Sequence, residues 1–206
     1  MATDMMTTGL YGAELADIKF GDTVVVMGIG PVGLMAVAGA KLRGAGRIIA
    51  IGSRPVCIDA AIRYGATDIV NYREGDVVKQ VFALTNRKGA DCCIVAGGDE
   101  AALNRAVSMV RYGGTVSNVN YFTTMGNLEI SNPRWGYGMS NKTIRCGLTS
   151  GGRARMEAML DLIRYGRIDP ELMITHRLKG MDGIPEAFRL MSEKPKDLIK
   201  TCVFMG

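Results

Sequence analysis

The chain has 206 residues, 48% of them apolar and 22% charged, with a formal net charge of +5. That balance gives one sizeable core in a single unit and argues against a disordered chain. The 27 glycines follow no three-residue period, and with one Trp, five Phe and no stripe of cations the composition argues against a nucleic-acid partner.

Short apolar runs recur about every two dozen residues: Thr23–Met27, Arg47–Ile51, Asp68–Val70, Cys92–Val95, Thr115–Val119 and Thr143–Cys146. Most are continuous rather than alternating, as strands covered on both faces are. Helix-compatible segments lie between them at Val32–Arg43, Val56–Tyr64, Val77–Leu84 and Ala101–Val110. The alternation predicts an α/β fold with a doubly wound parallel sheet in three layers. Beyond Cys146 the periodicity predicts a helix at Arg153–Arg164, a strand at Leu172–Thr175, a helix at Gly183–Ser192 and a strand at Leu198–Phe204. The first twenty residues read as helical and outside the βαβ pattern. The uncharged stretch Thr23–Ala40 is just long enough to suggest a membrane span, but Gly28, Gly30, Pro31 and Gly33 at its centre favour strand, turn and helix. Five cysteines with no CxxC pair suit reduced thiols in the cytoplasm.

Gly28-Ile29-Gly30-Pro31-Val32-Gly33 is a GxGxxG between the first strand and the first helix of this pattern. In that setting Gly28 permits the tight turn, Gly30 lets a pyrophosphate approach the backbone, and Gly33 lets helix and strand pack closely. Pro31 fits the first helical turn, and the helix N-terminus offers N–H groups and positive dipole to an anion. The alternative is a turn whose glycines serve packing only. About twenty residues on, where an NAD site places an acid for the ribose hydroxyls, the chain reads Gly52-Ser53-Arg54-Pro55. A hydroxyl and a guanidinium in place of an acid suit a 2′-phosphate, so NADP(H) is expected over NAD(H). Ser53 as a helix cap with Arg54 solvated is the alternative.

These residues, with Met5-Met6-Thr7-Thr8-Gly9, Ala38-Gly39-Ala40-Lys41 and Lys194-Pro195-Lys196-Asp197-Leu198-Ile199-Lys200, give the chain a resemblance to the zinc-dependent medium-chain alcohol dehydrogenases. The likeness is to their NADP-dependent secondary alcohol dehydrogenases and runs over essentially all 206 residues. It implies that residues 1–206 form a single Rossmann cofactor-binding domain, with 1–20 a helical lead-in from a catalytic domain that the chain lacks. The implied parent reaction is secondary alcohol plus NADP⁺ to ketone plus NADPH, with no turnover by this chain alone. The resemblance further implies that Gly28, Gly30, Pro31, Val32 and Gly33 hold the pyrophosphate. Gly52, Ser53, Arg54 and Tyr72 would surround the 2′-phosphate, while Ala96-Gly97 and Val119-Asn120-Tyr121 would line the ribose and nicotinamide. Asp4 matches a family zinc ligand whose companions lie in the catalytic domain. Zinc is therefore expected in the parent enzyme only, and Asp4 is expected here as a helix N-cap. Family members are tetramers, which implies a homo-oligomer through a sheet edge, expected at Asn127–Pro133 with Arg134-Trp135-Gly136. The competing reading is a standalone nucleotide-sensing or assembly module without catalysis.

Overall fold

A computed structural model of the chain describes residues 2–205; Met1 and Gly206, the ends of the expected single unit, lie outside it. Six strands form a parallel sheet: β1 (Thr23–Met27), β2 (Arg47–Ile51), β3 (Asp68–Val70), β4 (Ala90–Val95), β5 (Val110–Asn118) and β6 (Thr143–Cys146). Their order across the sheet is 3-2-1-4-5-6, the order of a doubly wound fold. Successive side chains of the central strands enter opposite cores. Val24, Val26, Ile48, Ala50, Cys92 and Ile94 face one side. Val25, Met27, Ile49, Ile51, Cys93 and Val95 face the other. Both faces are apolar because both are covered, which explains why these strands show no alternation in the sequence.

The first face carries α1 (Met5–Leu15), α2 (Pro31–Leu42), α3 (Pro55–Tyr64) and Met159 of α6 (Arg153–Arg164). The second carries α4 (Val77–Leu84) and α5 (Ala102–Met109). Helices, sheet and helices make the three layers. The α1–α2 contact is built from small residues. A Cβ on Gly9 would stand 2.4 Å from the Val32 carbonyl oxygen, and one on Gly39 would stand 3.0 Å from the Ala13 Cβ. The uncharged stretch Thr23–Ala40 divides into β1, a turn and most of α2, and no helix among the described residues is long and apolar enough to cross a membrane.

The C-terminal elements depart from the periodic reading. Residues 170–173 form a short 3-10 helix rather than the start of a strand, and β7 runs Ile174–Lys179. Pro170 and the Asp169 carboxylate, which accepts from the Glu171 N–H at 2.9 Å, start that turn. After α7 (Gly183–Glu193), β8 (Lys200–Phe204) pairs in parallel with β7 as a separate two-stranded sheet and does not extend the main one. Strand β5 begins five residues before the expected Thr115, with a register shift between Ala90 and Cys92 of its partner, β4. Gly113 at φ +72 sits in that irregular start, which hid it from a pattern reading.

Residues 127–133 are not a strand. Leu128 and Ile130 pack against the second core, and the Ser131 N–H donates to Asn104 Oδ1 at 3.1 Å instead of to a neighbouring strand. The edge of the sheet beyond β5 is β6, with Thr143, Arg145 and Cys146 exposed and only β5 beside it.

Candidate functional site

The turn after β1 is tightly packed. Gly28 has φ +88, a region that favours glycine, and its missing Cβ would lie 2.8 Å from the Gly97 Cα. A Cβ on Gly33 would lie 1.9 Å from the Gly28 carbonyl oxygen. These two glycines let the β1 turn, the β4 turn and α2 converge. Gly30 differs from both. It has φ −76, and a Cβ there would meet nothing within 4 Å. It is the N-cap of α2, with Pro31 following and no side chain capping the helix. The first-turn amides and the positive end of the dipole therefore face open space beside Gly30.

That space is a cavity of about 810 Å³ across the carboxyl ends of the strands. Seven of the expected residues line it: Gly28, Gly30, Gly52, Ser53, Arg54, Tyr72 and Gly97. They come from the turns after β1, β2, β3 and β4, brought together by the 3-2-1-4 strand order. The volume falls in the range of small-molecule sites, and the position is where ligands of open α/β sheets bind.

The end of β2 is the polar part of the cavity. A Cβ on Gly52 would collide with Ile29 at 2.2 Å, so the two turns touch here. Ser53 does not cap α3. That helix starts at Pro55, so the N-cap position falls on Arg54, which has no side-chain cap bond. Ser53 Oγ is buried and has no hydrogen-bond partner among the described residues. The Ser53 hydroxyl lies close enough to Tyr72 to draw the phenol below its usual pKa, helped by Arg73 and Arg54, yet the pair does not reach hydrogen-bond geometry. An orphaned buried hydroxyl facing a cavity is the signature of a missing polar ligand. Arg54 is not simply solvated. It is half-buried, and its Nη1 donates to the Leu198 carbonyl at 2.6 Å. Cys57, one helical turn on, is buried, and desolvation raises its thiol pKa against the pull of Arg54.

The remaining expected residues lie off this cavity lining. Val32 and Gly33 are in the first turn of α2, and Ala96 packs beneath the turn, its N–H donating to the Met27 carbonyl at 2.9 Å. Val119 lies against α1, where a Cβ on Gly12 would meet it at 3.4 Å. Asn120 accepts from Asn118 Nδ2 at 3.0 Å, and Tyr121 is 87% exposed. Asp4 stands exposed at the N-cap position of α1, but its side chain makes no cap bond; φ −138, ψ −81 is not a capping conformation, and only its carbonyl accepts from Thr8. Among the described residues no group of three or more His, Cys, Asp or Glu side chains could hold a metal ion.

The cavity also has walls that the sequence reading missed. Asp76 caps α4, accepting from Val78 N at 2.8 Å and Lys79 N at 3.1 Å, which holds its carboxyl below the usual range. Asn104 and Arg105 come from α5, and Arg105 pairs with Asp99 at 2.7 Å. Arg134 reaches the cavity from the long β5–β6 connection. Asp76 after Gly75 carried a cap signal; Arg134 carried none, because its arrival depends on how a loop returns over the sheet.

Comparison with known proteins adds the following. Residues 31–164 match the family model described as zinc-binding dehydrogenase. The chain is 58% identical over 206 residues to an NADP-dependent isopropanol dehydrogenase of Thermoanaerobacter brockii and 57% identical over 205 residues to one of Clostridium beijerinckii. All of the chain is covered in both cases, but it spans only 58% of the length of each of those curated relatives. Among solved structures, an alcohol dehydrogenase from Thermus sp. ATN1 superposes with a TM-score of 0.86 at 30% identity, covering 100% of this chain and 57% of that one.

Proposed function

The chain belongs to the zinc-binding dehydrogenase family, and from that premise we propose that it holds NADP(H) in the cavity at the carboxyl ends of its strands. The observation that carries the reading is the end of β2: an unpartnered, buried Ser53 hydroxyl beside a half-buried Arg54, with no acid in the turn. Gly30 supports it with an open approach to uncapped α2 amides, where a pyrophosphate would sit. Arg54 and Ser53 would take the 2′-phosphate, a guanidinium and a hydroxyl being donors suited to a dianion. Tyr72 would close that end of the site. The names of the two isopropanol dehydrogenases, both NADP-dependent, agree with this assignment.

The whole reaction proposed is reversible hydride transfer between a secondary alcohol and its ketone. Bound here, NADP(H) supplies or accepts the hydride. This chain's residues bind and orient it: the turns after β1 and β2 fix the adenosine and phosphates, and the ends of β4 and β5, at Ala96-Gly97 and Val119-Asn120-Tyr121, would direct the nicotinamide. Zinc does not fit the residues described. Among the described residues Asp4 belongs to no group of three or more side chains that could hold the metal. Catalytic groups beyond this chain's own are part of the proposal, and the chain by itself is expected not to reduce NADP⁺ with 2-propanol. Pairing with a second copy along β6 belongs to the same reading, because an exposed strand edge with free backbone groups invites another strand.

The test is a fluorescence titration of the chain with NADPH and, separately, with NADH. NADPH is expected to bind at least tenfold more tightly. Arg54→Ala should erase most of that difference, since a hydrogen bond to a charged group contributes about 1.5–3 kcal/mol. Equal affinities in the unaltered chain would refute the assignment.

A further inference from the structure

We propose that the C-terminal β7–α7–β8 unit is a positioning element for cofactor choice, acting through the Leu198 backbone carbonyl on Arg54. The inference rests on the reading of Arg54 as the 2′-phosphate ligand.

The unit and the turn that leads into it hold both ends of α3. At the helix's last residue, the Tyr64 hydroxyl donates to the Asp169 carbonyl at 2.6 Å. Just before its first residue, Arg54 Nη1 donates to the Leu198 carbonyl at 2.6 Å. Leu198 is 2% exposed and Ile199 is 4% exposed, with Ile199 embedded in the core that also holds Cys57, Ala60 and Tyr64. The carbonyl is itself firmly placed. Leu198 N–H closes a turn onto the Pro195 carbonyl at 3.1 Å, and Ile199 N–H donates to Thr175 Oγ1 of β7 at 3.0 Å. The Arg54 backbone is equally fixed, its carbonyl accepting from Cys57 and Ile58 at 3.0 Å.

A guanidinium has five N–H donors. One donor spent on Leu198 leaves four, so the tether does not compete with a phosphate. It removes rotamer freedom that an untethered arginine would lose only on binding. Ordering one long side chain weakens affinity roughly three- to tenfold. The benefit falls on the cofactor that bears a 2′-phosphate and not on the one that lacks it. A structural contact with no such role would shift both alike.

The experiment replaces Ile199 by its α-hydroxy acid in the full chain. The resulting ester makes the Leu198 carbonyl a poorer acceptor and deletes the Ile199 N–H; Thr175→Val is the control for losing the bond to β7. Dissociation constants for NADPH and NADH are measured by fluorescence. The ester is expected to weaken NADPH three- to tenfold and to leave NADH within twofold, while Thr175→Val leaves the ratio unchanged. In an Arg54→Lys background the ester should no longer alter the ratio. An unchanged ratio in the ester, or an equal loss for both cofactors, overturns the tether. Failure of the unaltered chain to prefer NADPH overturns the underlying reading instead. Should the ester chain not fold, nitrogen NMR of the unaltered chain decides: separate, slowly exchanging Arg54 Nη signals support the tether, and averaged signals overturn it.

Discussion

Gly30 and Gly33 stand three residues apart in one motif, yet alanine at each should do opposite things. At Gly33 the new Cβ would lie 1.9 Å from the Gly28 carbonyl oxygen and 2.8 Å from its carbon. The obstacle is backbone in a turn already at positive φ, so it cannot rotate away as a side chain would. Overpacking of this kind costs about 1–3 kcal/mol, and a backbone clash belongs at the upper end. For a chain of this length about 3 kcal/mol lowers the unfolding midpoint by about 6–12 °C. At Gly30 the Cβ would meet nothing within 4 Å, and φ −76 suits any residue. Two small effects on stability oppose each other there. Restricting the unfolded chain adds about 0.4–1 kcal/mol, while alanine is a poorer N-cap than glycine by a similar amount. Gly30→Ala should therefore keep the wild-type midpoint within about 3 °C. Its methyl group would instead occupy the approach to the α2 amides, and NADPH affinity should fall at least tenfold. Thermal unfolding followed by circular dichroism, with fluorescence titration of both variants, separates the two effects. A Gly33→Ala chain as stable as wild type would refute the packing argument, and a Gly30→Ala chain with full NADPH affinity would refute the cradle.

Two further outcomes follow from local electrostatics. Arg47 clasps Asp68 with two bonds of 2.8 and 2.6 Å at the β2–β3 edge, which holds the Asp68 carboxyl below its ordinary value. A folded-state pKa below the unfolded one gives stability that is present above about pH 4 and is lost as pH falls through the folded value. Asp68→Asn should then cost about 1 kcal/mol near neutral pH, a modest figure because the pair is partly exposed, and the deficit should shrink below pH 4. Denaturant titrations at pH 7 and pH 3.5 check this, and a deficit that grows on acidification would contradict it. Among the cysteines, Cys146 is exposed and Cys202 half-buried, whereas Cys57, Cys92 and Cys93 are buried. Burial raises the thiol pKa of all three, that of Cys92 to about 12. Brief iodoacetamide treatment of the native chain at pH 8 should alkylate Cys146 first and Cys202 more slowly, leaving the other three for the unfolded state, as read by peptide mass spectrometry.

What the sequence discloses about this molecule divides by the kind of group that carries each feature. The sheet was legible because burial on both faces writes itself as continuous apolar runs, and eight of the ten strands and helices expected from Thr23 to Cys146 fall within one residue of the structure's own bounds, β4 and β5 being the two that do not. The phosphate turn was legible because only glycine relieves a contact of 1.9 Å or a φ of +88, so the residue type states the geometry. The edge assigned to 127–133 failed for the opposite reason. Leu128 and Ile130 are apolar at strand spacing, but they serve the core from a loop whose N–H at Ser131 binds a side chain, and the pattern does not distinguish the two. The fastening of Arg54 was beyond reach altogether. Its partner is a backbone carbonyl 144 residues away, and every residue possesses one. A motif can reveal which side chain is offered to a ligand; what holds that side chain ready resides here in the main chain of a distant segment and becomes visible only once the fold has brought the two together.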